Sequence, residues 1–64
     1  MSRRIEIHLA PHRMARVETW VNDRCTAMTG VLSLENARME AKLMAGENIE
    51  IVDHTEHELR RVSR

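Results

Sequence analysis

The sequence contains few of the residues that build large or cross-linked structures. Its 64 residues include one tryptophan, one cysteine, one proline and two glycines, with no phenylalanine or tyrosine. The single Cys25 excludes an intrachain disulfide, and the isolated Gly30 and Gly46 do not form a phosphate-binding loop. No apolar run approaches the roughly 20 residues that span a bilayer. With a lone thiol and no apolar signal segment, we expect a soluble cytoplasmic protein that does not contact membranes.

The chain is long enough for one small domain, which we expect to comprise residues 1–64. A domain of this size buries only roughly 60% of the surface that its unfolded chain exposes, so its stability is marginal. The core must be aliphatic and methionine-rich, because the chain has five methionines and a single aromatic residue. A partner subunit would add buried surface, and we therefore expect a homodimer.

Two segments near the start, 4–10 and 15–22, alternate apolar and polar residues, which predicts two β-strands. One face of the predicted sheet carries the apolar side chains of Ile5, Ile7, Leu9, Val17, Thr19 and Val21. The opposite face carries Glu6, His8, Glu18 and Trp20. We expect the first face to form the core and the second to remain on the surface.

Turn residues separate these strands from the next elements. Pro11 ends the first strand and predicts a hairpin connection, and Asn22-Asp23 predicts a second tight turn. The segment 24–32 then reads as a third strand with Gly30 at a bulge or bend, or else as a loop. Its alternation does not indicate which side faces inward.

A helix over 34–45 is the most clearly bounded element. Ser33 occupies the N-cap position and Gly46 the C′ position. One stripe of the helix contains Leu34, Ala37, Ala41, Met44 and Ala45. Met39 and Leu43 lie one turn apart on nearly the opposite side, so the helix is apolar on two faces. Such a helix is either sandwiched between other elements or contacts a partner.

The remaining residues predict a strand over 49–52, with Ile49 and Ile51 buried, and a short final helix. Thr55 and Glu58 have the spacing of a capping box at the start of that helix. The fold class is therefore α+β, with a small antiparallel sheet and one main packed helix in the order β-β-β-α-β-α, or β-β-α-β-α without the third strand.

A set of residues in the first half of the chain carries a resemblance to a known family. It consists of Ile5-Glu6-Ile7-His8-Leu9-Ala10-Pro11, then Val17-Glu18-Thr19, then Cys25 followed by Thr29. Over residues 5–29 the chain thereby resembles an uncharacterised family of short bacterial proteins, known only as a domain of unknown function. The resemblance implies that Cys25 and Thr29 are important, and it implies no activity.

Candidate metal ligands and nucleophiles are present but scattered. Imidazole and thiolate are good zinc ligands, and they are supplied by His8, His12, His54, His57 and Cys25. No paired cysteines accompany them, and the histidines lie in polar segments, so we expect solvated side chains and no metal or other cofactor. Cys25 has no base beside it in the sequence, so we expect no catalytic activity. A small zinc-binding protein remains an alternative.

Charge is unevenly distributed, although the net charge is zero. Residues 1–34 are net positive, while residues 47–58 carry five acidic residues and no lysine or arginine. Nine arginines against one lysine make nucleic acid an alternative ligand, since guanidinium groups bind phosphate in bidentate fashion. The arginines that would form that patch are Arg3, Arg4, Arg60, Arg61 and Arg64.

The function predicted first is protein binding without catalysis, as a regulatory module, an inhibitor or an accessory protein. Trp20, Met39 and Leu43 lie on faces that the predicted core does not use, and tryptophan and methionine are enriched at protein interfaces. The acidic residues would steer a basic partner towards this surface. They are Glu47, Glu50, Asp53, Glu56 and Glu58.

Overall fold

The computed structural model of the protein describes residues 2–62 and has the predicted α+β architecture. Its strands are β1 (Arg3–Ala10), β2 (Met14–Val21), β3 (Arg24–Met28) and β4 (Glu50–Asp53). Its helices are α1 (Leu34–Ala45) and α2 (Thr55–Val62). This order of elements confirms the β-β-β-α-β-α prediction. No helix in this part of the chain is long and apolar enough to cross a membrane.

The four strands form one mixed sheet in the order β3-β2-β1-β4. The first three strands run antiparallel, as predicted, whereas β4 pairs with β1 in parallel. The chain reaches the far edge of the sheet by way of α1, and a crossover of this kind is what a parallel neighbour requires. As a result, the first and last strands of the domain lie side by side.

Both predicted turns are present. A single 3-10 turn, Pro11–Arg13, joins β1 to β2, whose register pairs Ala10 with Met14. Asn22 lies in the turn between β2 and β3 and adopts a φ of 56°, a left-handed conformation that asparagine tolerates better than most residues.

The third strand is real but shorter than the predicted 24–32. Regular pairing ends at Met28, after which Thr29 donates its amide to the carbonyl of Val17 over 2.8 Å. Leu32 then pairs with Ala15 through an isolated bridge. Gly30 lies in the irregular segment between these contacts, at the predicted bend.

The core lies between one sheet face and α1. Ile5, Ile7 and Val17 are buried there, which confirms the predicted inner face of β1 and β2. Helix α1 presents three alanines to them, Ala37, Ala41 and Ala45, and Leu34 and Met44 pack at the edge. Because the alanine side chain is a single methyl group, the helix lies close to the sheet at these positions.

The caps of α1 are the predicted ones. Ser33 accepts a hydrogen bond from the amide of Asn36 over 3.1 Å. Gly46 ends the helix with a φ of 62°, and its amide donates to the carbonyl of Lys42. The sequence therefore fixes both ends of this helix locally.

The last strand and helix differ from the prediction in two respects. Ile51 was expected in the core, but it is 37% exposed on β4, which is an edge strand of the sheet. The predicted capping box is also wrong: Asp53, not Thr55, caps α2 by accepting the Thr55 amide over 2.9 Å. The Glu58 carboxylate instead accepts the amide of Leu9 in β1.

Candidate functional site

The face of the sheet opposite α1 carries two buried carboxylates. Glu6 and Glu18 are only 8% and 6% exposed, and the register of β1 and β2 places them directly opposite each other. Burying an ionised group is costly unless it is paired and hydrogen-bonded. Two buried carboxylates side by side therefore require hydrogen bonds and positively charged partners.

Each carboxylate has an arginine from its own strand. Arg4 forms an ion pair with Oε2 of Glu6, and the Nε of Arg16 lies 2.9 Å from Oε2 of Glu18. Burial raises the pKa of Glu6, but hydrogen bonds from Arg4 and His8 and the charge of Arg4 and His54 more than offset it. The pKa of Glu6 is therefore below its ordinary value, and the carboxylate is ionised at neutral pH.

Two histidines from distant parts of the sequence meet over Glu6. The rings of His8 and His54 are stacked, with centroids 4.5 Å apart and planes inclined by 12°. Nε2 of His8 lies 2.8 Å from Oε1 of Glu6, and Nε2 of His54 lies 3.3 Å from the same oxygen. The parallel pairing of β4 with β1 brings the second histidine here, because the His54 amide donates to the carbonyl of Ile7.

One nitrogen in this group has no hydrogen bond. Nε2 of His54 is buried, and no group in residues 2–62 lies in hydrogen-bonding geometry with it. The oxygen of Glu6 is near enough, at 3.3 Å, but is not aligned for a hydrogen bond. Buried polar atoms in folded proteins usually have a hydrogen-bond partner, so this nitrogen is an exception among the described residues.

Helix α2 contributes a third carboxylate behind His8. Oε1 of Glu58 lies 3.4 Å from Nδ1 of His8 and accepts the amide of Leu9 over 3.1 Å. His8 thus has a carboxylate beside each ring nitrogen. This arrangement fixes the orientation of the imidazole.

Trp20 covers the edge of the same group. Its indole Nε1 donates to Oε1 of Glu18 over 3.0 Å, and the guanidinium of Arg4 lies over its ring. We refer to this set of side chains as the polar cluster: Arg4, Glu6, His8, Arg16, Glu18, Trp20, His54 and Glu58. Trp20, predicted as an exposed apolar anchor, is half-buried within it.

Sequence reasoning placed four of these residues on one face but did not identify the cluster. The alternation of β1 and β2 indicates that Glu6, His8, Glu18 and Trp20 are neighbours. Nothing in the pattern indicates that His54 and Glu58 join them, and the expectation that all histidines are solvated is wrong for His8 and His54. His12 and His57 are exposed, and Cys25 is half-exposed on the edge strand β3.

The other two predicted apolar anchors lie on the outer face of α1. Met39 is 58% exposed and Leu43 is 78% exposed, one turn apart on the side opposite the alanine stripe. The helix is therefore apolar on two faces, as predicted, and the described chain covers only one of them.

The five predicted acidic residues have different surroundings. Asp53 pairs with Arg38, Glu56 pairs with Arg60, and Glu58 belongs to the polar cluster. Glu47 and Glu50 are exposed and form no ion pair within residues 2–62. Of these five acids, the two without an ion pair are therefore Glu47, just after α1, and Glu50, at the start of β4.

The predicted arginine patch is divided. Arg4 is held by Glu6 at the start of β1, while Arg60 pairs with Glu56 in α2, which begins beyond the opposite end of the β1–β4 pair. Arg3 and Arg61 are exposed, and Arg64 lies outside the described residues. Arg3 and Arg4 border an open cleft of about 350 Å³ whose apolar lining includes Val21 and Met44.

Comparison of the chain with protein-family models, with curated proteins and with solved structures gave no match. The resemblance of residues 5–29 to a family of short bacterial proteins therefore stays a prediction.

Proposed function

We propose that this protein is a non-catalytic binding domain that associates with another protein through the outer face of α1. The observation that carries the proposal is the exposure of Leu43 and Met39 on a helix whose opposite face already forms the core. Apolar anchors spaced one turn apart are the pattern by which an amphipathic helix docks into a groove. An inhibitory or accessory role follows if that groove is functional in the partner.

The charge beside this face indicates the chemistry of the partner. Glu47 lies just after α1, Glu50 begins β4, and both are exposed. A partner surface with an apolar groove and basic residues at its rim would complement both features. The acids would then speed association and make it sensitive to salt, while the two apolar side chains would supply most of the affinity.

A second copy of the chain is the alternative partner for the same face. The core is small, since its largest fully buried apolar side chains are Ile5, Ile7 and Val17. Pairing of two α1 helices would add apolar burial that the isolated domain lacks. Sedimentation equilibrium of the purified protein distinguishes this homodimer from a monomer that binds a different protein.

The test uses a double variant and a matched control. Met39→Ser/Leu43→Ser removes the proposed anchors, whereas Met28→Ser/Val31→Ser removes two side chains that are similarly exposed elsewhere, at 61% and 57%. Tagged proteins are used to capture partners from nuclease-treated lysate, and circular dichroism verifies the fold. We expect the first variant to lose a stoichiometric partner, or its own dimerisation, and the control to retain it. If both variants fold and capture the partner, or dimerise, to the same extent, the proposed surface is wrong.

A further inference from the structure

We propose that Glu6, His8 and His54 form a binding site for a divalent transition-metal ion, with Zn²⁺ the best-matched metal. The three residues each offer one ligand atom, and these atoms all lie within 4.8 Å of one another. The site is independent of the exposed apolar face of α1, because it lies on the opposite side of the sheet.

The distances suit a tetrahedral ion. Zinc binds imidazole nitrogen and carboxylate oxygen at about 2.0–2.2 Å, so the ligand atoms around it lie about 3.3–3.4 Å apart. Oε1 of Glu6 is 3.3 Å from Nε2 of His54 and 2.8 Å from Nε2 of His8. The His8–Glu6 pair would open by a few tenths of an ångström to admit the ion, and the two histidine nitrogens already lie within 4.8 Å of each other. A water or a further ligand would take the fourth position.

The excess of negative charge around the site also favours binding of a cation. The polar cluster holds three carboxylates, those of Glu6, Glu18 and Glu58, against the two guanidinium groups of Arg4 and Arg16. Nε2 of His8 and Oε1 of Glu6 are too close to face each other without a proton or a metal ion between them. In our proposal the metal replaces that proton, which is released to solvent as the ion binds.

Neighbouring side chains hold the ligands in the required orientation. Oε1 of Glu58 lies 3.4 Å from Nδ1 of His8, so in the proposed site a proton on Nδ1 would face Glu58 and Nε2 would bind the metal. Arg4 holds Oε2 of Glu6, so that Oε1 points towards the two histidines. Nε2 of His54 already lacks a hydrogen-bond partner within residues 2–62, and coordination would satisfy it.

The ligand set selects the class of metal. Two imidazoles and one carboxylate suit zinc and other borderline divalent ions, whereas magnesium and calcium prefer oxygen ligands alone. No thiolate takes part, since Cys25 lies on β3 at the edge of the sheet and its thiol donates to the carbonyl of Ala27.

Calorimetric titration of the metal-free wild-type protein with Zn²⁺ is the first test. We expect one ion per chain, with proton release that changes the apparent enthalpy from one buffer to another. Co²⁺ should give tetrahedral visible absorption without a thiolate charge-transfer band, and should quench the fluorescence of Trp20. Absence of saturable binding, or a thiolate band, would overturn the proposal without any variant.

Variants then assign the ligands, with exposed histidines as matched controls. His8→Gln and His54→Gln should weaken Zn²⁺ binding by more than 100-fold, and Glu58→Gln, which acts through the orientation of His8, by about 10–100-fold. His12→Gln and His57→Gln should leave the affinity unchanged. Loss of binding in the controls, or full binding in folded His54→Gln, would show an adventitious ion only. The proposed protein-binding face is tested separately, because Met39→Ser/Leu43→Ser should retain the metal.

Discussion

The guanidinium carbon of Arg4 lies 4.7 Å from the centre of the Trp20 ring, on the neighbouring strand. The same indole donates its N–H to Glu18, so Trp20 connects a cation above its face to a buried anion at its edge. Trp20 is the sole aromatic residue of types Phe, Trp and Tyr in the chain. Its intrinsic fluorescence therefore reports directly on the polar cluster.

Replacing this tryptophan should show how strongly it supports Glu18. Trp20→Phe keeps a ring beneath Arg4 but removes the indole donor, which leaves a nearly buried carboxylate with one hydrogen bond fewer. We expect the free energy of unfolding to fall by about 1–3 kcal/mol in urea denaturation followed by circular dichroism. In a double-mutant cycle with Glu18→Gln the loss should shrink, because the charge is gone. Strict additivity would mean that the indole and the carboxylate do not interact energetically.

The alanine stripe of α1 should be intolerant of larger side chains. Ala41 is fully buried against the sheet, and Ala41→Leu would force the helix away from Ile7 and Val17 or strain its rotamer. We expect a loss of about 1–3 kcal/mol in the free energy of unfolding. Lys42→Leu, one residue later and exposed, should change it by less than about 0.5 kcal/mol. Equal effects at the two positions would contradict the close helix-to-sheet contact.

The N-cap of α1 offers a local test of the same helix. Ser33→Ala removes the acceptor for the Asn36 amide and should cost about 1 kcal/mol, whereas Ser33→Asp should retain nearly full stability. Both values come from chemical denaturation at neutral pH. If aspartate destabilised the protein as much as alanine, the cap would not be the reason for the serine.

The sequence predicted the features that depend on neighbouring residues, but not those that depend on contacts between residues far apart in the chain. The caps at Ser33 and Gly46 and the two faces of β1 and β2 follow from neighbouring residues, and the structure confirms them. The parallel pairing of β4 does not follow, because periodicity indicates which way a side chain points but not which strand lies beside it. Ile51 was placed in the core for this reason.

The polar cluster was not predicted for the same reason: periodicity does not show which strands are neighbours. Glu6 and Glu18 were correctly placed on the outer face, but their burial depends on cover from Arg4, Arg16 and Trp20, which alternation does not reveal. His54 arrives only through β4. Predicting the cluster from the sequence therefore requires knowledge of the strand order.

Asp53 should make stability depend on pH in the acid range. Burial raises the pKa of this carboxyl, but hydrogen bonds from the hydroxyl and amide of Thr55 and from Arg38 outweigh it, so its pKa is below the ordinary 3.8. A carboxylate with a depressed pKa stabilises the fold above its unfolded pKa and loses that contribution as pH falls through its folded pKa.

The measurement compares unfolding curves of metal-free wild type and Asp53→Asn as the pH is lowered from neutral. We expect wild type to be the more stable at neutral pH, and the difference to narrow below pH 3.8, the ordinary value for this side chain. Glu47→Gln, at an exposed acid without an ion pair in the described chain, should show no such narrowing. A difference that stays constant throughout would contradict the assigned role of Asp53.

The parallel contact between β1 and β4 has a consequence for the order of folding. The hairpin of β1 and β2 needs only a three-residue connection, so it can form early and alone, whereas β1 can pair with β4 only after α1 has closed a long loop. We therefore expect this closure to come late. The two histidine rings meet only when β4 pairs with β1. An ion bound between them would therefore stabilise that late contact and slow the separation of β4 from β1 at the start of unfolding.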